Sequence, residues 1–406
     1  MECEISKSIP EALKILEGIE PCCGLPIYAS MDIRDSGCKV CAVDVNLFPA
    51  GFNNLNQLEK TKASEKMREF LSAKIQKSSP WSLCLVPEAH TNNLGYLENL
   101  TGIIDILEAA GAHVKLMWSG PPIPKAWSIS LKNGKTLNYL PSEEALSDVQ
   151  MILLNHDLSG GLLKALEGVQ IPIYPSPNLG WYKRKKSTHF EIVDSLLTKI
   201  QKMLPSFDPW MLRPLTVSYN NLDFDREADI KFITQELNNT LDRLKEEYKK
   251  RGYTQEPFLY LKNDAGTYGM GVLSFRNRDE INQAASQIKR KMRKGKESVP
   301  VTNVIVQEGI TSSFVLNEGG QIRSAEPVLY LVNGCPVGGF FRAHAKLGEG
   351  GPFENLNQPG STLESLDQKF EHPRETNIRE LLEPPGLYYF LARLHATAAA
   401  LEECPA

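Results

Sequence analysis

The sequence predicts an α/β chain that becomes α+β in its second half. Three observations carry this reading. Between residues 81 and 177, strand-like apolar runs alternate with helical patterns, as in a mostly parallel sheet with helices packed on its faces. At 205–214, "PSFDPWMLRP" places three prolines where no helix can continue, so a boundary is expected between 1–205 and 206–406. Beyond it the strands read as hairpins, one of them turning at Asn333-Gly334, the dipeptide that suits a two-residue turn.

Taken in order, "MDIRDSGCKVCAVDVNLFPAGFNNL" (31–55) is a hairpin running into a loop crowded with Asn, Gly and Pro, and loops of this kind line sites. "WSLCLVPEA" is a buried strand, "YLENLTGIIDILEAAGA" an amphipathic helix and "HVKLMWS" the next strand. "VQMILLNHD" follows as a strand, then a helix over 159–167 and the strand "VQIPIYPSP". "WYKRKKSTHFEIVDSLLTKIQKML" has a basic helix start and an apolar-periodic body. A charged helix is expected within 221–252, closed by a glycine. The helix "RDEINQAASQIKRKMRKG", the strand "TNVIVQEGI", the hairpin "SAEPVLYLVNGCPVGGFFRA" and a closing helix over 386–403 complete the chain.

The 406 residues carry a formal charge of -4, which argues against nucleic-acid or anionic-membrane partners. No apolar run approaches the roughly 20 residues of a membrane span. The first 20 residues are acidic and broken by proline, unlike a signal peptide, so a cytoplasmic location is expected. Small molecules are the expected partners, and a homo-oligomer is compatible with this composition. Cys22, Cys23, Cys38 and Cys41 gather near the start. Their spacing suits reduced thiols better than zinc, since one pair is adjacent and no histidine lies nearby.

"FLYLKNDAGTYGMGVLSF" sets Lys262 before a glycine-rich hairpin. No Gly-Lys-Ser/Thr opens a helix here, and the hexamer leads into a strand, which excludes the P-loop and the dinucleotide fingerprint. Kinase motifs are absent. Two readings stay open: Gly266, Gly269 and Gly271 serve turn geometry, or the loop 266–271, with Thr267, Tyr268 and Met270, covers phosphates. "VIVQEGI" has the form of a hinge segment, with Gln307 and Ile310 in it as cofactor-binding residues, whose backbone meets adenine and whose Glu308 holds ribose hydroxyls. Glu326 in "SAEPVLYL" and Glu354, flanked by Asn355 and Asn357, offer the oxygen ligands magnesium prefers.

This order of elements resembles an ATP-grasp enzyme from about Trp181 onward. The half before it resembles the Rossmann-like substrate-binding domain that precedes the two ATP-grasp subdomains. "VDVNLFPAGFNNL", "VPEAHTNNLGY", "LKNDAGTYGMGV" and "FENLNQPGS" together resemble the proteobacterial, ATP-grasp type of glutamate–cysteine ligase over nearly the whole length. The resemblance implies ATP and Mg2+ as cofactors and γ-glutamylcysteine, the first intermediate of glutathione synthesis, as product. It implies Lys262 and Lys186 on the phosphates (Lys183 and Lys185 being alternatives to the second), Glu308 at the hinge, and Arg342 on the transferred phosphoryl group. It implies Glu326, Glu354 and one of Asn355 and Asn357 on the metal. Here the asparagines stand one and three positions after Glu354 rather than two, so the choice between them is open.

For an amino-acid substrate, Arg34 supplies a cation and Asp44 or Asp32 an anion, with Asn46, Asn53 and Asn54 as hydrogen-bonding groups. Glu88 and His90 follow a buried strand, where ligands of parallel sheets collect. Another ATP-grasp carboxylate–amine ligase, or a nucleotide-gated binding protein without catalysis, is the competing expectation.

Overall fold

The computed structural model describes residues 4–19, 21–265, 271–293, 300–318, 321–344, 361–372 and 377–403. The strands in them form three sheets. The alternating region builds a six-stranded sheet in the order Trp127–Ser130, Thr136–Leu140, Ala112–Met117, Trp81–Pro87, Met151–Asn155, Ile173–Tyr174. Every neighbouring pair is parallel except the first. Its central strands are apolar on both faces because both are covered. Leu83 and Leu85 join one core with the helices Gln57–Lys74 and Leu94–Ala110. Cys84 and Val86 point the other way, into a core with Lys186–Met203 and the terminal helix Leu387–Glu403.

The second sheet is antiparallel: Val272–Phe275, Phe258–Asn263, Val304–Gly309, Thr216–Tyr219. Its apolar face is covered by the helix Glu227–Lys250 together with Arg278–Gln283 and Ala285–Met292. Gly252, with φ of 72°, follows that long helix as expected.

The third sheet crosses the boundary expected near residue 205. Tyr28–Asp35 pairs with Val40–Asn46 on one side and with Gln321–Val332 on the other, while Cys335–His344, Ser361–Ser365, Phe314–Glu318 and Phe370–Glu371 complete seven strands. The amino-terminal hairpin is therefore built into the carboxyl-terminal sheet. Asn333 and Gly334 have φ of 50° and 67°, as a two-residue turn with left-handed central positions requires. The helix expected over 159–167 is absent; only a 3-10 turn forms, Lys164–Leu166. Leu158 and Gly161, with φ of 54° and 103°, break helical geometry there. Among the described residues no helix is long and apolar enough to cross a membrane.

Candidate functional site

The cleft between the second and third sheets is lined by charge. Strand alternation directs Lys262 and Gln307 to the same face, and Lys262 Nζ donates to Gln307 Oε1 at 2.7 Å and to Val43 O at 3.3 Å. Burial pushes the Lys262 ammonium down from 10.5 to about 8; Asp44 pulls it back up, and Lys186 and Arg34 push it further down. Lys186 opens its helix and forms an ion pair with Asp44. Burial raises the Asp44 carboxyl, but Lys186 and then Lys262 hold it below the ordinary range.

Asp264 joins the base of the glycine hairpin to the helix that carries Lys186. Its side chain accepts from Ser187 N and from Ser187 Oγ, each at 2.7 Å, and its carbonyl accepts from Lys186 N at 2.8 Å. The two lysines are thus held in a fixed relation by a buried carboxylate. Gly271 has φ of 70°, so its position does require glycine-like geometry. Gly266, Thr267, Tyr268, Gly269 and Met270 lie outside the described residues.

Beside the lysines, Glu326 lies between two arginines. Arg342 faces it directly across the hairpin and donates from Nη1 to Glu326 Oε1 at 2.8 Å and to Asp32 Oδ2 at 2.8 Å. Arg34 forms an ion pair with the other Glu326 oxygen. Asp32 is in register with Asp44 on the neighbouring strand, so the arginine cluster and the lysine pair adjoin. Glu326, Asp32 and Asp44 place carboxylate oxygens, the ligand type magnesium prefers, next to four cations, with three of which they already pair. Glu354, Asn355 and Asn357 lie outside the described residues.

The structure corrects the placing of Glu308. The alternation that turns Gln307 to the cleft turns Glu308 to the helix-covered face. There it has no solvent exposure and binds Lys39 Nζ at 2.8 and 2.6 Å, the Tyr248 hydroxyl at 2.8 Å and Leu215 N at 2.8 Å. Lys39 also sits 3.9 Å from the Trp210 ring centroid. An internal ion pair therefore occupies the carboxylate expected on ribose. Ile310 is buried at the end of the same segment.

The expected substrate loop is fixed by a buried asparagine pair. Asn99 Oδ1 accepts from Gly51 N at 2.8 Å and Phe52 N at 3.0 Å, and its amide donates to Asn155 Oδ1 at 3.1 Å. Asn155 in turn donates to Pro49 O at 2.8 Å, and the Tyr330 hydroxyl donates to Ala50 O. Asn46 accepts from Phe48 N at 3.0 Å, and Asn53 donates to Asn54 Oδ1 at 3.5 Å. Among the described residues, Asn53 Oδ1 is buried without a hydrogen-bond partner. Asn99→Ala strands several buried polar groups, so it is expected to cost about 2–4 kcal/mol, read by chemical denaturation; a loss below about 0.5 kcal/mol would overturn that role.

Glu88 directly follows the strand Trp81–Pro87, and His156 and Asp157 follow Met151–Asn155. Between these neighbours the strand order reverses, the place where open α/β sheets bind ligands. Glu88, His156 and Asp157 can each bring a ligand atom within 4.8 Å of the others. His90 lies 3.9 Å from the Glu88 carboxylate. Ser159, two residues on, lines a cavity of about 320 Å³ that reaches Lys183 and Lys185 and the hairpin base at Asn263–Ala265. The sequence points to Glu88 and His90 but not to Asp157, although "VQMILLNHD" ends a strand in the same way as "VPEAH". It also missed Lys39 and Arg184. Buried Arg184 donates to Val45 O at 2.7 Å and pairs with Glu402 of the terminal helix at 2.8 Å. Nothing in their local sequence marks either residue.

The glutamate-cysteine ligase family profile matches residues 22–403. A Methylobacillus flagellatus protein, provisionally assigned as a gamma-glutamylcysteine synthetase, is 28% identical with a TM-score of 0.81, over 98% of this chain and 94% of that one. An apo glutathione synthetase-like effector of Globodera pallida is 11% identical over 88% of this chain and 80% of that one, with a TM-score of 0.42. A D-alanyl-alanine synthetase A of Vibrio cholerae is 10% identical over 79% and 82%, with a TM-score of 0.33. No curated protein sequence matches the chain.

Proposed function

Because the chain belongs to the glutamate–cysteine ligase family, we propose that its ATP-dependent joining of glutamate to cysteine runs at the cleft lined by Lys262, Lys186, Arg342 and Glu326. The observation that supports this most is the convergence of Lys262 of the second sheet and Lys186 at the start of the helix Lys186–Met203 with two arginines and Glu326 of the third sheet.

In this reading Lys262 and Lys186 bind the phosphates. The γ-carboxylate of glutamate attacks the γ-phosphorus, the bond to the β-phosphate oxygen breaks, and ADP leaves. Arg342, with Arg34 beside it, balances the charge on the transferred phosphoryl group. The cysteine amine then attacks the acyl carbon of the glutamyl phosphate and loses a proton, and inorganic phosphate departs. Glu326, with Glu354 and one of Asn355 and Asn357, would hold Mg2+, which would supply charge neutralisation at the phosphates. The chain's own part is to hold the reacting atoms in line and keep water from the acylphosphate, with the segment 266–271 as its cover. The loop 47–55 and the Glu88–His156–Asp157 corner are the proposed amino-acid side of the site.

Phosphate release from ATP that requires both glutamate and cysteine is the expected result. Release with other amino acids, and none with this pair, would sink the reading. A second expectation concerns pH. As Lys262 loses its proton at about 8 in the free protein, kcat/KM for ATP should decline as pH rises through that value. A profile flat from pH 7 to about 9.5 would exclude Lys262 from ATP capture.

A further inference from the structure

The cavity of about 320 Å³ between the parallel sheet, the segment 181–185 and the base of the glycine hairpin has two ends of opposite character. At one end Ser159, which lines it, donates from N and Oγ to Asp157 Oδ1 at 3.0 and 2.8 Å. Asp157 N donates in turn to Glu88 Oε1 at 3.3 Å. Ligand oxygens of these two carboxylates come within 4.8 Å of each other. A single ammonium bonded to both at about 2.8 Å sets them about 4.6 Å apart. Leu158 N donates to His156 Nδ1 at 3.0 Å, so the neutral imidazole carries its proton on Nε2 and adds a donor rather than a third acceptor.

The other end offers donors. Trp181 lines the cavity, is 5% exposed, and its Nε1 is buried without a hydrogen-bond partner among the described residues. An indole N–H can only donate, and buried donors are paired as a rule, so this one points to an acceptor ligand. Lys185 lines the same cavity, is exposed, and forms no ion pair among the described residues. Lys183 is held by Asn178 Oδ1 at 2.7 Å. Trp181 N donates to Asp157 O at 2.9 Å, which fixes the two ends to each other.

We propose that this cavity seats the α-amino-acid end of glutamate, its ammonium between Glu88 and Asp157 and its α-carboxylate on Trp181 Nε1 and Lys185. This rests on the ligase reading above and names which substrate, and which of its groups, that corner takes. Glutamate suits the corner and cysteine does not, for a chemical reason. The cysteine amine must give up a proton to attack the acyl carbon, and two carboxylates around it would hold it charged. The α-amine of glutamate takes no part in the reaction. Its γ-carboxylate is left to reach the phosphates, because the segment 181–186 runs from Asp157 to Lys186, which pairs with Asp44 in the cleft.

The test is steady-state phosphate release from ATP by the full chain. Glutarate, which lacks the amine, and 4-aminobutyrate, which lacks the α-carboxylate, serve as inhibitors competing with glutamate. Glu88→Gln keeps an acceptor for Asp157 N and is expected to raise KM for glutamate at least about tenfold. KM for cysteine and ATP, and inhibition by glutarate, should stay within about twofold of wild type. Lys185→Met is expected to raise KM for glutamate about fivefold, with inhibition by 4-aminobutyrate unchanged. Lys185 is exposed, so this arm decides the matter even where Glu88→Gln fails to fold. An unchanged KM for glutamate in either folded variant, or a rise in KM for cysteine instead, would overturn the inference and leave the ligase reading standing. Glutarate and glutamate weakening equally in Glu88→Gln would also overturn it, since the carboxylate would then not be meeting the amine. Wild type releasing no phosphate with glutamate and cysteine would bring down the ligase reading and this inference with it.

Discussion

Lys262→Ala is expected to lower turnover by at least about a hundredfold, the scale for deleting one group aimed at developing charge. Folding should survive. Lys262 faces the cleft, and its contacts are to Gln307 and a backbone carbonyl rather than to the apolar core. The wild-type lysine is in fact a burden on stability at neutral pH, because burial lowers its pKa from 10.5 to about 8. Between these values the unfolded chain binds more protons than the folded one, so this group's contribution to stability rises with pH from about 8 to 10.5 and is fully unfavourable below 8. The difference between wild type and Lys262→Ala in denaturation should shrink across that window. Steady-state turnover and denaturation at three pH values check both parts. Turnover within threefold or so of wild type would remove Lys262 from the phosphate path.

The largest stability effect is expected from Lys39→Met. Glu308 has no solvent exposure and Lys39 only 3% on its side chain, so removing the lysine strands a buried carboxylate. Breaking such a pair from one side costs about 3–5 kcal/mol, a large share of the 5–15 kcal/mol that holds a typical domain together. Adding Glu308→Gln should recover a good part of the loss: the amide removes the charge, its oxygen can still accept from Leu215 N, and its NH2 can donate to the Tyr248 hydroxyl oxygen. Urea denaturation of the single and double variants measures this. A single variant losing less than about 1 kcal/mol would show that the pair is not what fixes the second sheet against the amino-terminal hairpin.

Much of the architecture was legible because it is local. Alternation of apolar runs gave the parallel sheet, Asn333-Gly334 gave its hairpin, and the position of Lys262 before a glycine segment pointed to the cleft. Glu326 and Arg342 could be paired from the same hairpin, since a short turn sets register. The helix placed at 159–167 failed because glycines and a left-handed Leu158 break it, and an apolar run of that length does not reveal backbone φ. Glu308 was misplaced for a simpler reason. It was taken together with Gln307 as one motif, whereas a strand sends adjacent residues to opposite faces.

By itself, then, the sequence determined the types of element, the turns and the chemical kinds of side chain available, since these depend on neighbours a few residues apart. The family to which they belong could be read from four short segments. Tertiary structure alone decided that Tyr28–Asp35 would lie beside Gln321–Val332, that Lys39 would meet Glu308, 269 positions away, and that Asp44 would fall between two lysines. Those pairings depend on which apolar faces can be buried together, and on where each charge finds its counter-charge once water is removed. Neither is written in any one stretch of chain.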